Sequence, residues 1–351
     1  MTTQPKLPPI GPLDEAAMAA ARRRLDNLTK PQGSLGRLED VAAWLAGVQG
    51  KELPSVKLRT IFVAAADHGV AAREVSAYPS EVTAQMVENF LAGGAAINVL
   101  ARQANAEVIV IDAGVRVDLG QRPGLASERI GPGTQDFSAG PAMSREQASR
   151  CIEVGLRLAE GTRADVVGCG EMGIGNTTAA SAVTAALLGL APRQVTGRGT
   201  GVDPAGYERK VAAIERALAT NAPDRNDALD VLAKVGGFEI GVLAGLMVGL
   251  AARRRVALVD GFISGAAALI AVGLAPAARD YLAASHLSTE PGHALILRDL
   301  GLEPLLDLRL RLGEGTGAAL AMHVLEGACR VIGEMSTFED AGVSRKTELD
   351  E

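Results

Sequence analysis

The sequence predicts an α/β fold in which a parallel sheet is covered by helices on both faces. Short β-branched or apolar runs recur along the chain, and segments with a helical spacing of apolar residues separate most of them. Several of these runs end in Asp, His or Gly, and open α/β sheets bind ligands beyond the carboxyl ends of their strands. The same residue types are common in turns, so each one is also a candidate for a purely structural role.

The predicted elements alternate over most of the chain. Strands are predicted at 58–67, 106–115, 164–171, 255–262 and 279–286, and helices at 80–103, 144–161, 177–190, 204–219, 237–253 and 264–274. Helical patterns within 12–49 and at 316–336 lie outside this rhythm. A chain of 351 residues can form one large domain and a smaller one. We therefore expect a large α/β domain over 56–315, which holds the site, and a small helical domain formed by 1–55 and 316–351.

Composition and charge argue against several classes of protein. The net charge of -6 disfavours binding to nucleic acid or to an anionic membrane surface, so an anionic ligand would need local donors. Cys151, Cys169 and Cys329 are far apart, and no His pair has metal-ligand spacing. The N-terminal stretch has no apolar signal core. We expect a cytoplasmic protein with reduced cysteines and no metal site.

One apolar segment imitates a membrane span. Residues 235–252 form an 18-residue run in which Gly241, Gly245 and Gly249 repeat at four-residue spacing. A span needs about 20 apolar residues, and Glu239 lies inside the run. Small residues at this spacing let helices approach closely. We interpret the run as a buried or interface helix rather than a membrane span.

A glycine-rich turn follows the predicted third strand. Gly168, Gly170 and Gly173 have the G-x-G-x-x-G spacing, but no acidic residue follows within 185–195, where a dinucleotide site would place one. Exposed N–H groups at the start of the next helix could instead hold one phosphate. A plain helix cap by Asn176 or Thr177 explains the pattern equally well.

Two further glycine loops are candidates for the same site. Gly197, Gly199 and Gly201 precede a helix in which Lys210 lies two turns from the start, and Lys210 is one of only two lysines between positions 58 and 345. Glu314 stands between Gly313 and Gly315, so a ligand could approach its carboxylate closely. It could equally be a carboxylate that stabilises a helix start.

The segment "VALVDGFISGAA" at 256–267 partly matches the loop that binds phosphoribosyl pyrophosphate and magnesium. That motif has two acidic residues followed by Thr-Gly, whereas this chain has Gly261 in place of the second acid and Ser264-Gly265 later. A pyrophosphate-dependent phosphoribosyltransferase is therefore an alternative that the sequence does not favour.

Eight segments together resemble one known family. They are "TKPQGSLGRLE" (29–39), "ADHGV" (66–70), "GEMGIGNTTAASA" (170–182), "GRGTGVD" (197–203), "GGFEIGVLAG" (236–245), "DGFISGAAAL" (260–269), "SHLSTEPGHALIL" (285–297) and "RLGEGTGAALAM" (311–322). In this order, over about 29–344, they resemble the nicotinate-nucleotide:dimethylbenzimidazole phosphoribosyltransferases of cobalamin lower-ligand synthesis. The resemblance implies a homodimer with a large Rossmann-like domain, a small helical domain and no cofactor.

The resemblance also implies a reaction and a set of site residues. The family transfers the 5-phosphoribosyl group of nicotinate mononucleotide to 5,6-dimethylbenzimidazole, which gives α-ribazole 5′-phosphate and nicotinate. Glu314 is the implied catalytic base. The implied phosphate and ribose site comprises Glu171, Gly173, Ile174, Gly175, Asn176, Thr177, Gly201 and Lys210. Ser288, Thr289 and Gly292 are implied on the nicotinate side, and Tyr78, Gln85, Met86 and Leu312 in the benzimidazole pocket.

Other functions remain alternatives beside this resemblance. An NAD-dependent oxidoreductase using 168–173 is one, and a non-catalytic nucleotide-binding or interaction protein with the helix at 235–252 as its partner face is another. Histidines at positions such as His68, His286 and His293 usually have a structural role, and we assign none of the three to catalysis. Cys169 has no base near it in the sequence, which argues against a nucleophilic role.

Overall fold

The computed structural model describes residues 4–344, which form two compact units. The large unit contains the chain up to Gly11 and Leu58–Ala321, and the small unit contains Pro12–Lys57 and the chain from Met322 onward. The sequence places residues 1–55 in the small domain, but the segment ending at Gly11 belongs to the large unit. Its Gly11 carbonyl accepts a hydrogen bond from the Tyr281 hydroxyl at 2.8 Å. Residues 345–351 of the predicted small domain lie outside the described residues.

A six-stranded parallel sheet forms the centre of the large unit, in the order β3-β2-β1-β4-β5-β6. The strands are β1 (Arg59–Ala66), β2 (Glu107–Gly114), β3 (Leu125–Ser127), β4 (Val166–Met172), β5 (Val256–Val259) and β6 (Leu282–Ala284). Val63 pairs with Val110 of β2 on one side and with Gly170 of β4 on the other. The predicted parallel sheet is confirmed, and its strand order is that of a Rossmann-like fold.

Eleven helices belong to the described part of the large unit. They are α3 (Glu81–Leu91), α4 (Ala96–Gln103), α5 (Arg145–Gly161), α6 (Asn176–Leu188), α7 (Pro192–Val195), α8 (Pro204–Asn221), α9 (Ala228–Val235), α10 (Phe238–Ala252), α11 (Phe262–Leu274), α12 (Pro291–Leu300) and the start of α13 (Thr316–Glu334). Residues 60–66 of β1 are buried without alternation, as expected for a strand covered on both faces.

The helix predicted at 235–252 is buried, as the sequence indicated. Every residue of α10 from Phe238 to Ala251 is buried, and its glycines let α5 pack closely against it. A methyl group on Gly245 would collide with the carbonyl oxygen of Ile152 in α5. Within residues 4–344, no helix is both long enough and apolar enough to cross a membrane.

Several predicted elements are wrong in detail. The single helix expected at 80–103 is two helices, because the chain breaks at Gly93 and Gly94, with Gly93 in the left-handed region at φ +78°. The strand expected at 279–286 is extended only over Leu282–Ala284, since Pro276–Tyr281 forms a 3-10 helix. Strand β3 was not predicted, and neither were α7, α9 and α12.

The small unit is helical. It contains α1 (Glu15–Asp26), α2 (Arg37–Gln49), the rest of α13 and α14 (Phe338–Ala341). The Asp14 carboxylate caps α1 by accepting the Ala17 N–H at 2.9 Å. The buried core of this unit is formed by Ala21, Leu25, Leu28, Ala42, Ala46, Ala328 and Ile332.

Candidate active site

A cavity of about 550 Å³ lies at the carboxyl ends of the strands in the large unit. The strand order reverses between β1 and β4, and such a switch point is where open α/β sheets bind ligands. The apolar lining consists of Tyr78, Val82, Met86, Met172, Ile174, Phe262, Ile263 and Leu312. The polar side chains that line it are Glu171, Asn176, Thr177, Thr200, His286, Ser288, Glu290, Arg311 and Glu314.

The loop after β4 turns directly into α6 and does not use a side-chain cap. Gly175 occupies the cap position at φ +97°, a conformation that favours glycine. The Asn176 side-chain amide instead donates to the Glu171 carboxylate. The Thr177 hydroxyl accepts a hydrogen bond from Lys210 Nζ at 2.7 Å. The plain-cap interpretation of Asn176 or Thr177 is therefore wrong, and the uncapped helix start faces the cavity through Asn176 and Thr177.

Lys210 reaches the site from the second turn of α8. Its side chain is buried, and Nζ also donates to the Gly197 carbonyl at 3.3 Å. Burial lowers the pKa of Lys210 to about 8, and the negative charge of Glu290 opposes that decrease. A cation held in this way suits a phosphate group that approaches the start of α6.

Glu314 projects from a turn with unusual backbone geometry. Gly313, Glu314 and Gly315 all lie in the left-handed region, at φ +83°, +63° and +91°. A methyl group on Gly170 of β4 would collide with the Glu314 carbonyl, so this glycine lets the turn sit against the strand. The Glu314 carboxylate accepts the Ile97 N–H at 3.3 Å. Burial raises the pKa of Glu314, and the Ile97 hydrogen bond opposes the increase.

Glu314 belongs to a group of buried acids. The pKa of Glu171 is raised to about 8 by burial and by the charges of Asp260, Glu239 and Glu314, against the Asn176 hydrogen bond. Burial also raises the pKa of Asp260 to about 7. Asp260 accepts the Gly315 N–H at 3.2 Å and the Ala318 N–H at 2.9 Å, so it anchors the turn of Glu314. Burial and like charge therefore favour retaining protons on this group.

The structure brings most of the predicted site residues together. Those that line the cavity are Glu171, Gly173, Ile174, Asn176, Thr177, Ser288, Glu314, Tyr78, Met86 and Leu312. Six others are not among the lining residues: Gly175, Gly201, Lys210, Thr289, Gly292 and Gln85. Lys210 nevertheless reaches the site through Thr177. Gln85 and Thr289 are exposed, and Gly292 packs closely against Phe262.

Two charged residues of the site, Glu290 and Arg311, were not predicted from the sequence, whereas Asp260 was a candidate because it ends a predicted strand. Glu290 accepts the Gly199 N–H at 3.0 Å, and Arg311 donates to the Gly199 carbonyl at 3.3 Å. Asp260 holds the turn of Glu314. Glu290 and Arg311 lie within the family-like segments at 285–297 and 311–322, and that position was the signal that could have identified them.

His68 and His293 have hydrogen-bond partners within the protein. His68 Nε2 lies 2.7 Å from Glu239 Oε1, and both side chains are fully buried. His293 Nδ1 accepts the Ser288 N–H at 3.0 Å. Burial lowers the pKa of His286 to about 4 and that of His293 to about 3, with His286 contributing to the second shift. Cys169 is buried, and burial raises the pKa of its thiol, which disfavours a thiolate nucleophile.

The fold and the cavity define a class of protein. It is a Rossmann-like α/β protein with a ligand-sized cavity at the carboxyl edge of its parallel sheet. The chain belongs to a phosphoribosyltransferase family, because a family model of that description matches residues 10–343. It is therefore an enzyme of the pentosyltransferase class. The family resemblance predicted from the sequence motifs is confirmed, and membership decides against the oxidoreductase and the non-catalytic alternatives.

Individual relatives agree with the family model. The chain is 58% identical over 342 residues to the nicotinate-nucleotide--dimethylbenzimidazole phosphoribosyltransferase of Roseiflexus sp. (strain RS-1), with 97% of each chain covered. Identity to the enzyme of that name from Chloroflexus aggregans is also 58%, with the same coverage. A crystal structure of the Thermus thermophilus enzyme matches with a TM-score of 0.90 at 49% identity, covering 95% of this chain and 100% of that one.

Proposed function

We propose that the protein transfers the 5-phosphoribosyl group of nicotinate mononucleotide to 5,6-dimethylbenzimidazole, with Glu314 as general base. One observation carries this proposal. One cavity is lined by the Glu314 side chain, by the apolar side chains of Tyr78, Met86 and Leu312, and by the polar loop residues Asn176 and Thr177. An aromatic base fits the apolar side chains and a sugar phosphate fits the polar loop. The names of the relatives point to the same two substrates.

The reaction is a direct displacement at C1′ of the ribose. One ring nitrogen of the benzimidazole attacks C1′, and the bond to the pyridinium nitrogen breaks with its electron pair. Nicotinate thereby leaves with a neutral ring nitrogen, which requires no general acid. The other ring nitrogen of the acceptor loses its proton to Glu314. Because burial raises the pKa of Glu314, its carboxylate is a stronger base than an exposed one.

The remaining site residues divide between the substrates. The phosphoribosyl group is bound by Lys210, by the start of α6, and by the glycines of the loop after β4 and of the loop before α8. Backbone N–H groups in such loops can hold one phosphate. This set comprises Glu171, Gly173, Ile174, Gly175, Asn176, Thr177, Gly201 and Lys210. Ser288, Thr289 and Gly292 belong to the nicotinate side, and Gln85 completes the benzimidazole side with Tyr78, Met86 and Leu312. Positive charge that develops on the ribose is stabilised by one ionised carboxylate and by backbone carbonyls near the ring.

One assay compares two phosphoribosyl donors: nicotinate mononucleotide in the presence of EDTA, and phosphoribosyl pyrophosphate in the presence of magnesium. The purified protein, 5,6-dimethylbenzimidazole and excess EDTA are mixed with nicotinate mononucleotide, and released nicotinate and product mass are measured. We expect one nicotinate for each ribazole phosphate formed, with full activity in EDTA. Turnover only with phosphoribosyl pyrophosphate and magnesium would instead support the pyrophosphate-dependent alternative. A panel of other benzimidazoles, purines and phenols in the same assay identifies the preferred base.

The resemblance also leads us to propose a homodimer in the cytoplasm. Size-exclusion chromatography with light scattering measures the mass of the protein in solution directly. A mass of one chain would contradict the dimer. Cell fractionation with antibody detection tests the location.

A further inference from the structure

The loop that carries Gly197 and Gly199 lies between two buried, oppositely charged side chains. Lys210 Nζ donates to the Gly197 carbonyl at 3.3 Å, and Glu290 Oε1 accepts the Gly199 N–H at 3.0 Å. Lys210 is 1% exposed and Glu290 is 8% exposed. A methyl group on Gly197 would collide with the Glu290 carboxylate, and one on Gly199 would lie 3.0 Å from Lys210 Nζ. Glycine at both positions therefore lets the two charges approach the loop.

Within residues 4–344, the Glu290 carboxylate lacks a hydrogen-bond partner for one of its two oxygens. Its Oε2 atom is buried and has no hydrogen-bond partner among the described residues. Burying a carboxylate costs free energy unless a nearby charge compensates for it. The neighbouring opposite charge is the Lys210 ammonium, whose pKa Glu290 raises against the effect of burial. Lys210 also bonds to Thr177 at the cavity wall.

We propose that Glu290 is a positioning residue for the nucleotide: it fixes the Gly197–Gly199 loop and, through that loop, the position of Lys210, which bonds to Thr177 at the cavity wall. This inference rests on the proposed function. It extends the phosphate site by a residue that acts through Lys210. The ligand class is a phosphate monoester.

The charge of Glu290 gives the proposal a defined pH dependence. Removing the negative charge of Glu290 lets burial lower the pKa of Lys210 further below about 8. Lys210 then loses its proton, and with it the attraction for phosphate, at a lower pH than in the wild type. Arg311 also contacts the loop, at the Gly199 carbonyl, but a guanidinium stays charged over this range. Thr177 and Gly197, which bond Nζ directly, do not titrate.

The first test compares Glu290→Gln with the wild type. Glutamine keeps an acceptor for the Gly199 N–H but carries no charge. Binding of nicotinate mononucleotide is measured by calorimetry without base, and the ratio of the two Kd values cancels the titration of the nucleotide itself. We expect a ratio near one at pH 6 and about tenfold at pH 9, which corresponds to a pKa change of about one unit. A ratio that is the same at both pH values would overturn the proposal.

A matched control is Glu208→Gln. Glu208 lies on α8 with Lys210, but it is exposed and pairs with Arg193 at 2.7 Å. The Kd of the Glu208→Gln variant for nicotinate mononucleotide should stay within about twofold of the wild-type value at both pH values, since exposed ion pairs contribute little. If Glu290→Gln does not fold, Glu290→Asp keeps the charge and shortens the reach to Gly199. That variant should weaken binding equally at pH 6 and pH 9, and a loss confined to pH 9 would contradict the proposal.

A double-mutant cycle shows whether Glu290 acts through Lys210. In a Lys210→Met background, Glu290→Gln should cause no further loss of affinity at pH 9. An undiminished loss in that background would overturn the proposal. Inorganic phosphate is titrated in parallel as a second probe. If phosphate shows the predicted pH profile while no nicotinate is released in the turnover assay, the proposed reaction fails and the role of Glu290 stands. If neither phosphate nor nucleotide binds to the wild type, both fail.

Discussion

Glu314 combines a buried side chain that lines the cavity with a fixed backbone. A non-glycine residue at φ +63° is uncommon and carries a cost that its surroundings must offset. The flanking glycines adopt the same region without steric cost. Asp260 holds two N–H groups that follow Glu314, at Gly315 and Ala318. The turn therefore presents one carboxylate to the cavity with little freedom to move.

We predict that Glu314→Gln lowers kcat by about 10² or more, because a positioned general base contributes about 10²–10⁴-fold. Glutamine keeps the size and an acceptor for the Ile97 N–H, so nucleotide Kd and thermal midpoint should change little. The base works only when ionised, and burial raises its pKa. Wild-type kcat should therefore fall with decreasing pH from a point above the usual range for Glu. The pH profile of kcat checks this, and the variant should lack that acid limb.

A near-normal kcat for Glu314→Gln would contradict the assignment. Glu171 would then be the next candidate, since it lines the same cavity. Burial and like charges raise its pKa to about 8, so a base at this position would give an acid limb near pH 8.

We predict that Lys210→Ala raises the KM for nicotinate mononucleotide about tenfold or more. A hydrogen bond to a charged group contributes about 1.5–3 kcal/mol, and about 1.4 kcal/mol corresponds to a factor of ten. The effect on kcat should be smaller, because the phosphate is bound in both the ground state and the transition state. Steady-state kinetics at saturating base measure both constants.

The matched control for Lys210 is Lys234→Ala. Lys234 pairs with Asp230 on α9 at 2.8 Å and is not among the residues that line the cavity. The KM of the Lys234→Ala variant for nicotinate mononucleotide should equal that of the wild type. An unchanged KM for Lys210→Ala would remove Lys210 from the phosphate site.

At the scale of elements, the sequence predicted those structures whose signal is local. Apolar runs located β1, β2, β4 and β5, because buried parallel strands lack polar alternation. A helix that is apolar all round is a buried one, and α10 fits that rule. Strand β3 has only three residues, and a segment of that length is too short to show a pattern of apolar residues in the sequence. The break between α3 and α4 also has a local signal, the Gly93-Gly94 pair, which the prediction of one helix over 80–103 did not use.

The candidate site was predictable only in part for the same reason. Its glycine loops are continuous in sequence, so motifs located them. The anchoring contacts join distant segments: Asp260 to Gly315 across 55 positions, and Glu290 to Gly199 across 91. Neither spacing follows from local periodicity or turn chemistry. The exposed positions of Gln85 and Thr289 are likewise set by the tertiary fold.

We predict that Gly245→Ala destabilises the protein. The added methyl group would collide with Ile152 at the contact of α5 with α10, and overpacking of this kind costs about 1–3 kcal/mol. Thermal unfolding should therefore show a clearly lower midpoint. Gly327→Ala in α13 is the control, since a methyl group there meets no atom within 4 Å. Alanine favours a helix over glycine by about 1 kcal/mol, so the control midpoint should stay level or rise. A level midpoint for Gly245→Ala would contradict the close packing.

At the scale of the whole molecule, the sheet assembles a site from segments that are far apart in the chain. The order reverses between β1 and β4, and the loops after β4 and before α8 and α13 meet at that edge. A net charge of -6 leaves anion binding to local groups, and we propose Lys210 and the start of α6 for that role. The cavity in the large unit thus brings together the start of α6, the Glu314 side chain and apolar side chains, which are the groups that the proposed reaction requires.

The most direct test of the central claim is the anomeric configuration of the product. Nicotinate mononucleotide with a β-glycosidic bond and 5,6-dimethylbenzimidazole are incubated with the protein, and the anomeric proton of the product is assigned by NMR. In a direct displacement the acceptor attacks the face of C1′ opposite the departing nicotinate, and Glu314 takes the acceptor's proton without forming a bond to ribose. We predict α-ribazole 5′-phosphate as the product. A β product would contradict direct displacement and require a ribosyl intermediate.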